Sequence, residues 1–480
     1  MRTKNISLFV VVLSLFIGSG CTKLADYNIN PNATTEAPAS ALLTNVESGL
    51  GGYAFMAVPG LYCQYFSETQ YTDASNYSVQ TFSFSGTYSS NLEDMQNIID
   101  NSGNNNMVQV ARIIKDFIFW TITDRVGDIP YTGTLKGGNG LVPYDTQETV
   151  YKALIADLAE AASSFDNGAS IITGDVIYNG NTASWIKTAN SLRLLMALQL
   201  SKLYPNAGDY AATEFASAMS ASGGIIMDNA DNFKIDYPGD NSSTKNPVYS
   251  AYDGRKDYGE SKTMTDLLTS LSDNRINVYG GITESSTDQI DVPSDNGFPY
   301  GLTRDDATAF SNNNADWARV LIGKFRQASS SYNIVTAAEI NLAIAEAIDR
   351  GWVSGNAGAY YKTGILASFA QWSLPEPAAA YFSQASVALA GTVGSAANIK
   401  QIATQRYIAT YPDGLQGWNL WRRTGFPSLT PAANAINSSG EIPRRFQYGV
   451  TEYSSNQANT EAAAAAIGGD TQDTHVWWDK

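Results

Sequence analysis

The sequence predicts a mainly α-helical protein, and three observations support this prediction. Apolar residues recur at helical spacing in long stretches, capping residues stand at the ends of several stretches, and short turns separate one stretch from the next. Helices joined by short turns pack as pairs, as in tetratricopeptide-type solenoids. The full tetratricopeptide consensus does not recur at a fixed period, so we expect a degenerate, tetratricopeptide-like scaffold of helical pairs.

The N-terminal residues predict a secretory signal. Arg2 and Lys4 form a basic head, and the apolar stretch 6–17 is shorter than the ~20 residues that a membrane-spanning helix needs. Three small residues then precede Cys21. This order predicts a lipoprotein signal peptide over residues 1–20 and acylation of Cys21 as a membrane anchor. An ordinary signal peptide that leaves Cys21 as a free thiol is the alternative.

Composition narrows the possible functions. The formal net charge of −16 is unfavourable for nucleic-acid binding, because a phosphate backbone is also negative. Cys63 is the only other cysteine, so with Cys21 acylated no disulfide is expected and Cys63 is predicted to be a buried, inert thiol.

Two helices are predicted in the first half of the chain. The first covers 145–165, where Asp145 and Glu148 resemble a capping box ahead of an apolar face. The second covers 182–203, and its wide apolar face predicts burial on two sides.

A third helix has both ends marked in the sequence. It begins at Thr336, three residues before Glu339, and ends at Gly351. The remaining helices are predicted from periodic stretches near 37–58, 105–124, 207–222, 261–271, 356–373, 377–389 and 395–410.

Two polar, aromatic stretches without helical period lie between these helices, at about 67–91 and 228–334. Long loops in a compact protein are often functional, so both are candidate binding loops. Tyrosine combines a planar ring, on which a sugar can stack, with a hydroxyl group for hydrogen bonds. The alternative is that these aromatic residues pin the loops to the scaffold. The candidate ligand-binding residues are Tyr71, Asp73, Asn76, Tyr77, Phe84, Tyr88, Tyr252, Tyr258 and Tyr300.

No catalytic residue, metal ligand or cofactor site is predicted. His475 is the only histidine and there is no G-x-S-x-G motif, which argues against a Ser-His-Asp device and a His-rich zinc site. The segment 228–236 places Phe233 where a calcium loop needs glycine. A glycoside hydrolase needs only two carboxylates about 5–10 Å apart, so composition leaves that alternative open.

Several sequence stretches, taken together in their order and spacing, indicate a protein family. They are "NINPNA" after Cys21, "TDRVGDIPYTGTL" at 123–135, "YDTQETVYKALIADL" at 144–158, "TASWIKTANSLRLLMALQLS" at 182–201, "NPVY" at 246–249, "TAAEINLAIAEAIDRGW" at 336–352, "IPRRFQYGVTEYSSNQAN" and "VWWDK". In this arrangement the chain resembles the SusD/RagB family of nutrient-binding outer-membrane lipoproteins, in particular its SusD-like branch.

The resemblance implies a SusD-like domain over residues 21–480, in which a tetratricopeptide-like scaffold carries a loop-rich ligand-binding insertion. It also implies a lipid-anchored protein of the bacterial outer membrane, facing the cell exterior, without enzymatic activity. Such a protein captures a nutrient and passes it to a SusC-like TonB-dependent transporter. We expect an oligosaccharide as the ligand; a peptide-binding member of the family and a secreted glycoside hydrolase are the alternatives.

Overall fold

A computed structural model describes residues 37–137, 141–166, 172–282 and 292–480. The predicted signal peptide and Cys21 lie outside these residues. About 52% of the structure is helical, which confirms the mainly α prediction. No helix in the described ranges has the length and apolarity needed to cross a membrane.

The first half of the chain is mostly helical. In chain order they are α1 Ala39–Gly49, α2 Gly51–Ala54, α3 Ala57–Tyr62, α4 Ser85–Thr87, α5 Glu93–Asn101, α6 Asn105–Val126, α7 Gln147–Ser163, α8 Thr182–Gln199 and α9 Tyr210–Met219. Each helix from α5 to α8 packs against the next one in the chain, so the succession ends at α9. This succession of neighbouring helices is the packing expected of helical pairs.

The second half contains the remaining helices. They are α10 Pro247–Tyr252, α11 Lys262–Leu271, α12 Ile276–Tyr279, α13 Arg304–Asn313, α14 Ala337–Asp349, α15 Ala357–Gln371, α16 Ala379–Phe382, α17 Ala396–Thr410, α18 Gly414–Thr424 and α19 Val450–Ala466. Helix α14 packs against both α15 and α17, and α18 packs against α17 and α3, which joins the two halves.

Short strands form two-stranded ladders between the helices. They are β1 Phe66–Glu68, β2 Thr81–Phe82, β3 Phe233–Ile235, β4 Tyr258–Glu260, β5 Gly280–Gly281, β6 Arg319–Val320, β7 Tyr332–Val335 and β8 Gln447–Tyr448. β1 pairs with β4, β3 with β7 and β5 with β6 in antiparallel fashion, whereas β2 and β8 are parallel. The ladders therefore tie segments of the two candidate loops to distant parts of the chain.

Of two helix caps predicted from the sequence, one is correct and one is not. Thr336 caps α14 by accepting a hydrogen bond from the Glu339 amide at 3.1 Å, as predicted. The predicted cap Asp145 is wrong: Thr146 caps α7, and the Asp145 carboxylate instead accepts from the amides of Tyr131 and Thr132.

Other helix predictions need correction. The predicted helix 377–389 contracts to the single turn of α16, while α4, α5, α10, α12, α13, α18 and α19 have no counterpart among the predicted helices. Of these, α10, α12 and α13 lie within the stretch 228–334, which is therefore more regular than its composition suggests.

Aromatic and charged side chains complete the core. Trp120, Trp185, Trp418 and Trp478 are all buried. Cys63 is also buried, and burial raises the pKa of its thiol well above the ordinary value, in keeping with an inert cysteine.

Buried ion pairs connect the helices of the second half. Glu346 on α14 contacts Arg423 on α18 at 2.5 Å, and both side chains are fully buried. These guanidinium contacts outweigh burial and hold the pKa of Glu346 below its usual range. A further ion pair lies in the C-terminal part of the chain, where the buried Arg445 contacts Asp470 at 2.5 Å.

Candidate functional site

The β1–β4 ladder positions the first candidate site. Glu68 at the end of β1 lies opposite Tyr258 at the start of β4. The pairing continues beyond the strands, because the Thr69 amide donates to the Asp257 carbonyl at 2.9 Å and the Thr69 hydroxyl donates to the Lys256 carbonyl at 2.6 Å. The segment after β1 and the turn before β4 are therefore held side by side.

A pocket of about 590 Å³ opens at this end of the ladder, and we call it the Tyr71 pocket. It is open to solvent, and its volume is within the range of small-molecule sites. Its lining residues come from the two adjoining segments and the end of α10: Gln70, Tyr71, Tyr252, Gly254, Arg255, Lys256 and Asp257.

Tyr71 is the exposed aromatic side chain of this pocket, with 53% of its surface accessible. The Arg304 guanidinium, at the first residue of α13, lies 5.3 Å from the centroid of the Tyr71 ring. A cation at this distance is attracted by the face of the ring. The pair offers an apolar plane beside hydrogen-bond donors, which suits a ligand with both apolar faces and hydroxyl groups.

Two of the predicted residues anchor the segment that carries Tyr71. The buried Asn76 amide donates to the Leu302 carbonyl at 2.9 Å, which connects the segment to the residues before α13. The buried Tyr77 hydroxyl accepts from the Ala432 amide at 2.8 Å. In this conformation neither side chain is available to a ligand, whereas the Asp73 side chain is exposed.

The predicted residues of the second loop, Tyr252, Tyr258 and Tyr300, are buried or half-buried in the structure. Tyr252 is buried in the pocket wall, where its hydroxyl donates to the Tyr258 carbonyl and accepts from the Val320 amide at 2.8 Å. Tyr258 is half-buried, and burial, together with the Glu68 charge, raises its pKa to about 12. Tyr300 is also half-buried, and burial raises the pKa of its hydroxyl well above the ordinary value.

Phe84 and Tyr88 line a different cavity, which shares no lining residue with the Tyr71 pocket. This cavity, which we call the Tyr88 cleft, has a volume of about 400 Å³. Its other walls are provided by residues from 130–144 and from α19, with Tyr144 and Asn456 among them. The candidate residues of the stretch 67–91 are therefore divided between two cavities.

Several polar groups of the Tyr88 cleft already have partners within the protein. The Tyr88 hydroxyl donates to the Pro130 carbonyl at 2.6 Å, and the Tyr144 hydroxyl shares a hydrogen bond of 3.0 Å with Thr460. The buried Glu452 carboxylate accepts from the amides of Phe84 and Ser85 at 2.8 and 3.0 Å. These bonds hold the cleft walls together and explain the burial of Phe84.

Sequence reasoning missed the charged turn of the Tyr71 pocket. Arg255, Lys256 and Asp257 follow Gly254, whose φ of +70° suits a tight turn, and Arg255 pairs with Asp257. The sequence did contain a signal for this turn, because the run "YDGRKDY" has a candidate tyrosine at each end and a glycine followed by charged residues between them.

The described residues contain no group of three or more His, Cys, Asp or Glu side chains placed to hold a metal ion. A rigid helical scaffold that presents an aromatic ring and a guanidinium at an open pocket is the framework of a ligand-binding protein.

The particular family is shown by comparison with known proteins. The SusD-like family described as "Starch-binding associating with outer membrane" matches residues 31–449, and the chain belongs to this family. Its SusD-like homologues are binding proteins, and the family is associated with the outer membrane. No curated protein matches the chain.

Solved structures of similar fold cover almost the whole chain. A SusD homologue from Bacteroides uniformis has a TM-score of 0.78 and 26% identity, covering 93% of this chain and 100% of its own. A SusD homologue from Bacteroides fragilis has a TM-score of 0.76 and 25% identity, with coverages of 93% and 100%. A chitin-binding SusD homologue from Flavobacterium johnsoniae, at 23% identity, shares the fold with a TM-score of 0.79 and coverages of 92% and 98%.

Proposed function

We propose that this protein is an outer-membrane lipoprotein that captures an oligosaccharide in the Tyr71 pocket and passes it to a SusC-like TonB-dependent transporter. The observation that supports capture is the exposed Tyr71 ring beside Arg304 at the open end of the β1–β4 ladder. Sugar rings stack their C–H faces on aromatic planes, and their hydroxyl groups bond to charged and amide side chains such as Arg255 and Gln70.

The choice of an oligosaccharide over a peptide rests on two further points. The family is described as starch-binding, and one structural neighbour is named as chitin-binding. The pocket is open rather than enclosed, so a chain longer than the pocket itself can extend beyond it. We infer binding without turnover, in line with the binding role of the homologues.

Calorimetric titration of the purified protein tests this function. The panel comprises maltohexaose, chitohexaose, cellohexaose and a tryptic peptide mixture, at pH 6. Saturable binding of at least one oligosaccharide, without new reducing ends after prolonged incubation, is the expected result. Binding of peptides alone favours the peptide-binding alternative, and release of reducing ends favours a hydrolase.

Anchoring is proposed through Cys21, which lies outside the described residues. Removal of residues 1–20 would leave Cys21 as the acylated N-terminus, and several acyl chains, at ~0.8 kcal/mol per buried methylene, would hold the domain on a membrane. Labelled palmitate should enter the wild-type protein in its bacterial host and not Cys21→Ala, which should appear in the aqueous fraction. Equal labelling of both proteins would exclude Cys21 as the anchor.

Delivery to a transporter is tested by purification from outer membranes. The wild-type protein, extracted in mild detergent, should bring with it a TonB-dependent barrel identified by mass spectrometry. Deletion of the gene for that barrel should abolish uptake of the oligosaccharide that binds in the titration.

A further inference from the structure

Arg304 differs from the other arginines that the structure describes, because its side chain has no polar partner. Within the described ranges, it alone has a guanidinium group that makes neither a hydrogen bond nor an ion pair; the group lies instead 5.3 Å from the centroid of the Tyr71 ring. The chain carries 46 acidic residues against 30 lysines and arginines, so a shortage of carboxylates does not explain this. The N–H donors of the exposed Arg304 side chain are therefore open to a ligand beside Tyr71.

Hydrogen bonds hold the backbone before Arg304 against the segment that carries Tyr71. The Asn76 amide of that segment donates to the Leu302 carbonyl at 2.9 Å. A second bond, from the Asn434 amide, holds the preceding carbonyl at 2.8 Å. The ring and the guanidinium are thus presented side by side before any ligand binds, which lowers the ordering cost of recognition.

The carboxylates of the neighbouring segments do not neutralise this guanidinium group. In the pocket lining, Asp257 is paired with Arg255, and the Asp257 side chain is only 16% exposed. Asp73 and Asp305 are exposed, and in the structure neither forms an ion pair with Arg304. The site therefore offers an unpaired positive charge to a negatively charged group of a ligand.

A sugar that carries a carboxylate matches both parts of this arrangement. Guanidinium groups bind carboxylates through two parallel N–H···O bonds, a planar geometry that a hydroxyl group cannot reproduce. The C–H face of such a sugar stacks on an aromatic ring, while its carboxylate projects from the edge of the sugar ring. The negative charge of the whole protein does not prevent this contact, because salt screens exposed charges over about 8 Å at physiological ionic strength.

We propose that Arg304 is a specificity-determining residue and that the preferred ligand of the Tyr71 pocket is an acidic oligosaccharide, with a uronic-acid ring stacked on Tyr71 and its carboxylate paired with Arg304. The inference rests on the proposed function, because it names the class of oligosaccharide captured at the same site. Arg304 then distinguishes an acidic sugar from its neutral counterpart, whereas its loss has only a small effect on the binding of neutral sugars.

Calorimetric titration of the wild-type protein with matched ligands tests this preference. The probes are hexagalacturonate and hexamannuronate at pH 6, each compared with its methyl ester, which keeps the sugar rings and removes the charge. At least one acid should bind about tenfold more tightly than its ester, as expected for charge-assisted hydrogen bonds. Equal affinity of acid and ester in both pairs, or tighter binding of the esters, would overturn the inference.

Two variants separate a specific contact from a general effect of charge. Arg304→Gln should bind each acid and its ester with affinities within about twofold of each other, because the guanidinium fork is gone. Arg255→Gln removes the same charge from the pocket, but the Arg255 guanidinium already has a carboxylate partner, so the preference for the acid should remain. Retention of the preference in Arg304→Gln, or its loss in Arg255→Gln alone, would overturn the inference.

Failure of the inference can be told apart from failure of the proposed function. If the neutral oligosaccharides bind but the acids have no advantage over their esters, Arg304 does not determine specificity and the proposed function stands. If no oligosaccharide binds, whether neutral or acidic, the proposed function itself fails.

Discussion

The Tyr71 pocket and the Tyr88 cleft take aromatic residues from the same stretch, 67–91, but use them differently. The Tyr71 ring is 53% exposed, and its hydroxyl makes no hydrogen bond with the described residues. The hydroxyls of Tyr88 and Tyr144 are bonded to Pro130 and Thr460. The comparison teaches that a loop tyrosine with internal partners serves the fold, whereas one with an open ring and hydroxyl is available to a ligand.

The largest expected effect is on the stability of the Tyr88 cleft. Phe84 is 3% exposed, and its ring centroid lies 5.5 Å from that of Tyr88. Phe84→Ala removes this packing and should lower the free energy of unfolding by about 3–5 kcal/mol, measured by urea denaturation. Oligosaccharide binding by the folded variant should remain within twofold of wild type. A loss of binding with unchanged stability would reverse the roles of the two cavities.

Tyr71→Ala should give the next largest effect, on binding. Loss of an exposed aromatic plane typically weakens a binding site by ~1–3 kcal/mol, so the dissociation constant of the oligosaccharide found in the titration should rise about 5- to 150-fold. The unfolding free energy should change by less than ~0.5 kcal/mol. The matched control Tyr71→Phe keeps the ring and should bind within about threefold of wild type. Unchanged binding by Tyr71→Ala would exclude the Tyr71 pocket.

Tyr144→Phe tests the difference between the Tyr88 cleft and the Tyr71 pocket by removing a single hydroxyl group. It removes the 3.0 Å hydrogen bond to Thr460 and should cost about 1 kcal/mol of unfolding free energy. Tyr71→Phe is again the control and should cost nothing measurable. Equal stability of the two variants would mean that the internal partner of Tyr144 has no net effect.

The smallest effect is expected for Arg304. Its guanidinium lies 5.3 Å from the Tyr71 ring centroid, and an exposed pair of this kind is worth ~0.5–1 kcal/mol. Arg304→Gln should therefore weaken oligosaccharide binding two- to fivefold by calorimetry, and Arg304→Lys should lie between it and wild type. A gain in affinity would show that Arg304 competes with the ligand for the Tyr71 ring.

Part of the candidate site was visible in the sequence, and part was not. Tyr71 was predicted from its place in a polar, aromatic loop without helical period. Its neighbours Arg255 and Lys256 lie more than 180 residues further along the chain and join it only through the β1–β4 ladder. Strands of three residues carry too little periodicity to be recognised, so this pairing could not be predicted.

Long-range packing also explains why some residues that were predicted to contact the ligand are buried instead. Asn76 and Tyr77 have the side chains of a sugar site, yet segments around Leu302 and Ala432 pack over them. Nothing local marks those residues as partners, since each contact joins parts of the chain more than 220 residues apart.

By itself, the sequence determined the helical scaffold, because helix period and caps such as Thr336 act over a few residues. Only the tertiary structure decided which aromatic rings face solvent, because exposure depends on what distant segments place over each ring. It also decided that the carboxyl-bearing Glu68, at the end of β1, would be buried, since burial arises from packing and is not a property of the residue itself.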